Sequence, residues 1–187
     1  TVDTVGPVIS IESPAYNETV GYQIYVTTDI VDALSNVSSG WYFVYNGTDT
    51  SQQLANGTLN DSSDWDSLWD SSGYPGVAWD ILLVVYANDT LGNVATNNVS
   101  FNLDNARPVM QYVEPTSALK FYNSNFTMNV IVQDNSFNYT YYNITSESSG
   151  ATIQYNSSAY GSPVEEHIWN DSFDVDGNDD GNYNLTV

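Results

Sequence analysis

Cysteine is absent from the 187 residues, so no disulfide, thiolate metal site or cysteine nucleophile can form. Histidine is nearly absent: the single His167 cannot build a histidine metal cluster or a Ser-His-Asp triad, and reads as a strand residue without chemistry. Basic residues are the next shortage. Arg107 and Lys120 stand against 23 acids, giving a net charge of −21. A chain so poor in cations cannot neutralise phosphates, which excludes nucleic acid and disfavours an anionic membrane surface. No apolar run is long enough to cross a membrane, so direct insertion of this segment is not expected, and no signal peptide pattern is visible. Helical periodicity, phosphate loops and nucleophile motifs are missing too.

What is present is 41% hydrophobic and 14% aromatic residues, enough to fill a core. The longest apolar stretch is Val77–Asn93, VAWDILLVVYANDTLGN. Its Ile, Leu, Val and Tyr, closed by turn residues, predict a central β-strand buried on both faces. In the following Asp89-x-x-Gly92-Asn93, Asp89 is expected to cap a tight turn and Gly92 to take a positive φ. Shorter strands are predicted over Val8–Glu12, Tyr22–Thr28 and Trp41–Tyr45, with a weak edge strand at Gln53–Leu59 and a closing strand at Val94–Leu103. Asp29–Gly40 reads as a polar loop, and 61–76 as a segment rich in Trp and Asp. About seven strands at this spacing predict an all-β sandwich of roughly 100 residues.

The pattern then recurs. Asp3-Thr4-Val5-Gly6-Pro7-Val8 aligns with Asp104-Asn105-Ala106-Arg107-Pro108-Val109. Tyr25–Asp29 aligns with Val130–Asp134, Trp65 with Trp169, Trp69-Asp70 with Phe173-Asp174, and Tyr183–Val187 with the start of the long apolar strand. Two tandem sandwiches are therefore expected, 1–104 and 105–187. The second stops before its closing turn and last strand, so the chain is expected to be a segment of a longer array; a strand donated by a neighbouring subunit is the alternative.

Asn-x-Ser/Thr triplets occur at Asn17, Asn36, Asn46, Asn56, Asn60, Asn88, Asn98, Asn125, Asn138, Asn143, Asn156, Asn170 and Asn184. Composition alone gives roughly four or five, so the excess is about threefold. The motif is the acceptor for N-linked glycans on exposed surface of a secreted protein. Covalent N-glycans are thus expected.

Trp-x-x-x-Trp-Asp, the Val85-x-Ala87-x-Asp89 run, Gly92-Asn93 and the Asp-x-x-x-Pro between copies resemble immunoglobulin-like repeats of archaeal and bacterial cell-surface proteins, S-layer proteins and large adhesins among them. The lack of cysteine suits a prokaryotic, archaeal or bacterial, source. The resemblance implies a structural, non-enzymatic component of an extracellular surface array, its partners being other copies of itself in a lattice or filament and further immunoglobulin-like domains of the same chain. An adhesin or carbohydrate-binding stalk is the second reading. The family is often stiffened by calcium, and the sequence offers acids at matching places in both copies. Asp3, Asp29 and Asp89, with Asp32 nearby, are expected at one end of the first sandwich, and Asp104 and Asp134 at the equivalent places of the second. A sugar on Asn88 would be expected to crowd a cation on Asp89. Two weaker readings accompany these. Asp176-x-Asn178-x-Asp180-Gly181 matches half of an EF-hand loop but lacks its final Glu. Trp65, Trp69 and Trp79 beside Asp64, Asp66, Asp70 and Asp80 could form a sugar platform with a carboxylate pair, although Trp at this spacing reads first as core.

Overall fold

From Gln23 to Val31 every second side chain is buried, as the two-residue period of a half-covered strand requires. The computed structural model of the chain describes residues 2–47, 49–61, 64–114, 126–173 and 183–187, without the side chains of 126, 135–138 and 161–164. Two compact units emerge, Thr1–Ala106 and Arg107–Val187. The described residues are β-strand and turn, with no α-helix.

In the first unit, β1 (Val8–Ser13), β3 (Gln23–Val31) and β6 (Asp66–Asp70) form one sheet in the order β1-β3-β6. The second sheet holds β2 (Thr19–Val20), β4 (Val37–Tyr45), β5 (Gln53–Leu59), β7 (Val77–Asp89) and β8 (Val94–Asp104), in the order β2-β8-β7-β4-β5. The short β2 lies parallel to β8, and the other pairs are antiparallel. Ile24, Val26 and Trp69 from one sheet and Val44, Leu83, Val85 and Phe101 from the other fill the core between them, and Trp69 meets Phe101 edge-on at 6.5 Å. This is an immunoglobulin-like sandwich.

Four expectations change here. β7 ends at Asp89, where its closing turn residues place the end, but only its inner side chains are buried; Leu82, Val84 and Tyr86 on the other face are half-exposed. An apolar run covered on one face by the opposing sheet and on the other by neighbouring aromatic side chains reads in sequence like a strand buried twice. The loop placed at Asp29–Gly40 shrinks to 32–36, because β3 and β4 extend into it. The Trp-rich segment contributes a strand, β6, whose Trp69 points inward. The first unit also reaches two residues beyond the expected boundary: Asn105 is buried within it, bonded to Tyr22, Ser71 and Tyr74.

In the second unit, β9 (Val109–Glu114) pairs with β10 (Phe126–Ser146), which also pairs with β11 (Thr152–Phe173) and β12 (Tyr183–Thr186). β10 and β11 make a long ribbon that folds back on itself. Tyr142 pairs with Asn156 and Val130 with Trp169, yet Tyr142 and Trp169 touch edge-on at 5.1 Å, and Trp169 Nε1 donates to Thr140 Oγ1 at 3.3 Å. The two halves of the ribbon thus face each other over Met128, Val130, Tyr142, Ile144, Trp169 and Phe173.

The internal repeat is visible in the register of each unit. Ile24 pairs with Trp69 as Val130 pairs with Trp169, and β7 pairs with β4 as β12 pairs with the second half of β10. The sequence alignment of Tyr25 with Val130 is therefore off by one: Tyr25 is exposed while Val130 is buried, and Ile24 is the true counterpart. One residue of slip exchanges the faces of a strand. Likewise Trp169 corresponds to Trp69, not to Trp65.

Candidate functional site

Two turns and the opening segment meet at one end of the first sandwich. Thr90 N donates to the Asn36 carbonyl at 2.9 Å, tying the β7–β8 turn to the β3–β4 turn, and Asn93 Nδ2 reaches the Asp3 carbonyl at 3.4 Å. The carboxylates of Asp3, Asp32 and Asp89 converge there, each offering an oxygen within 4.8 Å of the others.

Asp89 is the anchor. It ends the inward row of β7 and is 1% exposed. Its Oδ1 accepts from the N–H groups of Leu91 (2.9 Å) and Asn93 (2.8 Å), and its Oδ2 from Asn93 Nδ2 (2.7 Å). Burial opposes its ionisation and is the largest single influence, but the bonds from Asn93, Ser35 and Leu91 together outweigh it and hold the carboxyl at about 2. Gly92 takes φ 90°, a conformation that costs a side-chain-bearing residue energy. Asp32 caps the other turn, its Oδ1 accepting from Ser35 N (2.6 Å) and Leu34 N (2.9 Å). Those backbone donors lower its pKa, while burial and the negative charge of Asp89 act against them. The Ser35 hydroxyl sits between Asp32 Oδ1 (3.0 Å) and Asp89 Oδ2 (2.9 Å), with one proton to donate. Asp3 Oδ1 accepts from Val5 N at 3.1 Å, whereas Asp3 Oδ2 is buried without a hydrogen-bond partner.

The donor set suits a hard divalent cation. Calcium takes oxygens at about 2.3–2.6 Å, so oxygens on opposite sides of one ion lie about 4.6–5.2 Å apart, and the cluster fits that span. Its three carboxylates are all oxygen donors, and the orphaned Asp3 Oδ2 is the kind of atom an ion would satisfy.

Asp3 and Asp89 are thus brought together as expected, and Asp29 is not. Asp29 sits at an outward position of β3, one residue from the buried Thr28 and Ile30, and lines a cleft of about 310 Å³ with Glu12, Asp61, Asp64 and Trp65. Asp32, just past the end of β3, takes its place. The clue available in sequence was Asp32-x-x-Ser35, a capped-turn pattern. Asp104 accepts from Ala106 N at 3.0 Å, and Asp134 lies on β10; among the described residues neither joins a carboxylate cluster of this kind. The half EF-hand motif at Asp176–Gly181 lies outside the described residues. Of the tryptophans near acids, Trp69 is core, Trp65 packs against the core and Trp79 is exposed. The His167 ring packs on Trp169 at 4.3 Å, its Nδ1 meets the Tyr160 hydroxyl, its Nε2 is buried without a hydrogen-bond partner, and burial lowers its pKa against the pull of Asp171.

Asn88 and Asp89 do not compete. Successive residues of a strand point to opposite faces, so Asp89 faces inward while Asn88 pairs with Ser39 on the outer face and accepts its hydroxyl proton. Among the other acceptor asparagines, Asn17, Asn36, Asn46, Asn56, Asn60, Asn98, Asn156, Asn170 and Asn184 are exposed and Asn143 is half-buried. Asn125 and the side chain of Asn138 lie outside the described residues.

No family model matches the chain, and no curated protein matches it. Among solved structures, the fibronectin(III)-like modules of Clostridium thermocellum CbhA are similar at 15% identity and a TM-score of 0.38, over 90% of this chain and 87% of that one. An engineered protein is similar at 20% identity and a TM-score of 0.38, over 54% of this chain and 20% of that one, so this chain spans about a fifth of its length. At these scores the likenesses add nothing to the sandwich assignment, which rests on strand order and register.

Proposed function

We propose that the chain is an N-glycosylated structural module of an extracellular cell-surface array, S-layer-like in character, with Asp3, Asp32 and Asp89 as a calcium site. The observation that carries the reading is the placement of the acceptor asparagines: of the eleven with a described side chain, nine are exposed and Asn88 and Asn143 are half-buried, although 41% of the chain is hydrophobic and strands bury alternate residues. Thirteen sequons on a rigid all-β body with a charge of −21 suit a hydrated, protease-resistant outer surface. The cation would neutralise three carboxylates and pin the opening segment to two turns, stiffening one end of the module. Its partners in this reading are further copies of the chain and further domains of the same protein. Site-resolved mass spectrometry of the glycosylated protein and electron microscopy of the native surface test it. Glycans at several of the sequons together with ordered sheets are expected; unmodified asparagines throughout, on isolated particles, would refute it.

The adhesin or carbohydrate-binding reading has one observation in its favour. Tyr139, Tyr141 and Tyr155 form an exposed row on the second unit, with ring centroids 6.2 and 6.1 Å apart and the Tyr139 and Tyr155 hydroxyls at 3.0 Å. Binding on a glycan array that is lost on Tyr141→Ala would favour this second reading.

A further inference from the structure

The outer face of the five-stranded sheet has an unusual layout. Inward residues of β4 and β7 belong to the core, so Trp41, Phe43, Tyr45, Leu82, Val84 and Tyr86 face away from it. They form a half-exposed apolar strip two strands wide. Trp41 and Tyr86 stack at 5.7 Å with planes 5° apart, and Phe43 meets Tyr86 edge-on at 5.9 Å. The strip is bordered on both sides by sequons. The register places Asn56, Phe43, Val84 and Asn98 in one row across β5, β4, β7 and β8, and Thr58, Trp41, Tyr86 and Thr96 in the next. Each sequon keeps its Asn and its hydroxyl residue on this face, because positions two apart share a face. Asn56 and Asn98 are exposed, and neither side-chain amide is engaged in a hydrogen bond among the described residues, unlike that of Asn88. Gly57, between Asn56 and Thr58, leaves room for the Tyr42 ring, which a Cβ there would approach to 2.6 Å. Asn56 stands beside Phe43 on the outer face.

We propose that this strip is an intramolecular seat for the N-linked sugars of Asn56 and Asn98, which fold inward from the two borders and cover the Trp41–Tyr86–Phe43 surface. A pyranose presents a face of polarised C–H groups, and an aromatic ring presents a negative face to match it. One strand spacing of about 4.8 Å separates Asn56 from Phe43 and Asn98 from Val84, so the first sugar of each chain lies over the strip without a long reach. A contiguous apolar patch on an exposed sheet calls for a cover, and the sugars supply one that keeps the face from pairing with other proteins. The proposal rests on the glycosylation reading above and adds to it which sugars are structural.

The test uses the full chain expressed in a host that glycosylates these sequons, with occupancy read site by site. Thr58→Ala and Ser100→Ala abolish the two sequons without touching the asparagines, and Asn56→Gln with Asn98→Gln provides a second route. Both pairs are expected to lower the melting temperature by about 5 °C and to raise binding of an apolar dye, whereas Asn36→Gln does neither. In a Trp41→Thr background the same sequon losses should lower the melting temperature by less, because part of the seat is gone. The proposal is overturned if Asn56 and Asn98 carry no sugar while other sequons do, if the loss is equal with and without Trp41, or if the glycosylated chain dimerises through the strip. Absence of sugar from every sequon would instead overturn the broader glycosylation reading.

Discussion

Asn105 is 6% exposed and is held from several directions: its Oδ1 accepts from Tyr22 N at 2.6 Å, and its Nδ2 donates to the carbonyls of Ser71 (2.7 Å) and Tyr74 (2.9 Å). Replacing it with Leu leaves these backbone groups unpaired, at a cost of about 1–3 kcal/mol for a buried group such as the Ser71 carbonyl and less for the partly buried ones. Asn105→Leu should therefore lower the urea midpoint of the first unit strongly, with Asn105→Asp intermediate. Asp89 behaves differently, because its contribution depends on pH. Its folded pKa is depressed to about 2 from the ordinary 3.8. The stability it supplies is fully present above the ordinary carboxylate range and is lost as pH falls from there through about 2. Asp89→Asn should lie below the parent in thermal stability at pH 6, and the gap should close as both are titrated to pH 2. His167 has the same sign at a higher pH. Burial keeps its pKa below the ordinary 6.5, so the unfolded chain takes up the proton first and stability falls as pH drops below that value. His167→Gln should flatten this part of the curve in thermal melts between pH 7 and 5.

At the scale of elements, the two buried tryptophans do the same work in each unit. Trp69 pairs with Ile24 and Trp169 with Val130, and each fills a core between facing layers. Truncation of a core aromatic to Ala costs about 3–5 kcal/mol. Trp69→Ala should destabilise the first unit by that amount, and Trp169→Ala the second, read by hydrogen exchange of the amides in each unit. The turns are elements too. The β7–β8 turn was legible residue by residue, Asp89 as its cap and Gly92 at positive φ, because both properties are local. The long ribbon of β10 and β11 was not legible. Whether two short strands are separated by a turn or run on through a bend depends on what packs against the bend, and no local residue pattern reports that.

At the scale of the molecule, 23 acids and two basic residues make self-repulsion a general cost of the folded state. Monovalent salt screens it, with a Debye length near 10 Å at 0.1 M. The melting temperature should rise with sodium chloride between about 10 mM and 0.5 M. Calcium at millimolar levels should raise it further than ionic strength alone explains, through Asp3, Asp32 and Asp89. A chelator should remove only the second effect, and Asp3→Asn with Asp32→Asn should abolish it; equal responses of parent and variant to calcium would assign the gain to general screening.

The sequence by itself determined the class of this protein. Two-residue alternation, the long apolar run, the repeated opening motif and the lack of helical periodicity specify strands, sheets and a second copy, since these follow from which side chains must leave water. It also determined the charge and the supply of acceptor asparagines. The tertiary structure alone decided which acids meet. Asp29 and Asp32 are three residues apart and of the same residue type, but strand parity turns Asp29 outward while the end of β3 frees Asp32 to turn towards Asp89. The same holds for the longest apolar stretch: its hydrophobicity announced a central strand, but only the register of β4, β5, β7 and β8 divided it into a core face and an outer strip framed by Asn56 and Asn98. A face is a property of neighbours across the sheet, and those neighbours are far apart in the chain.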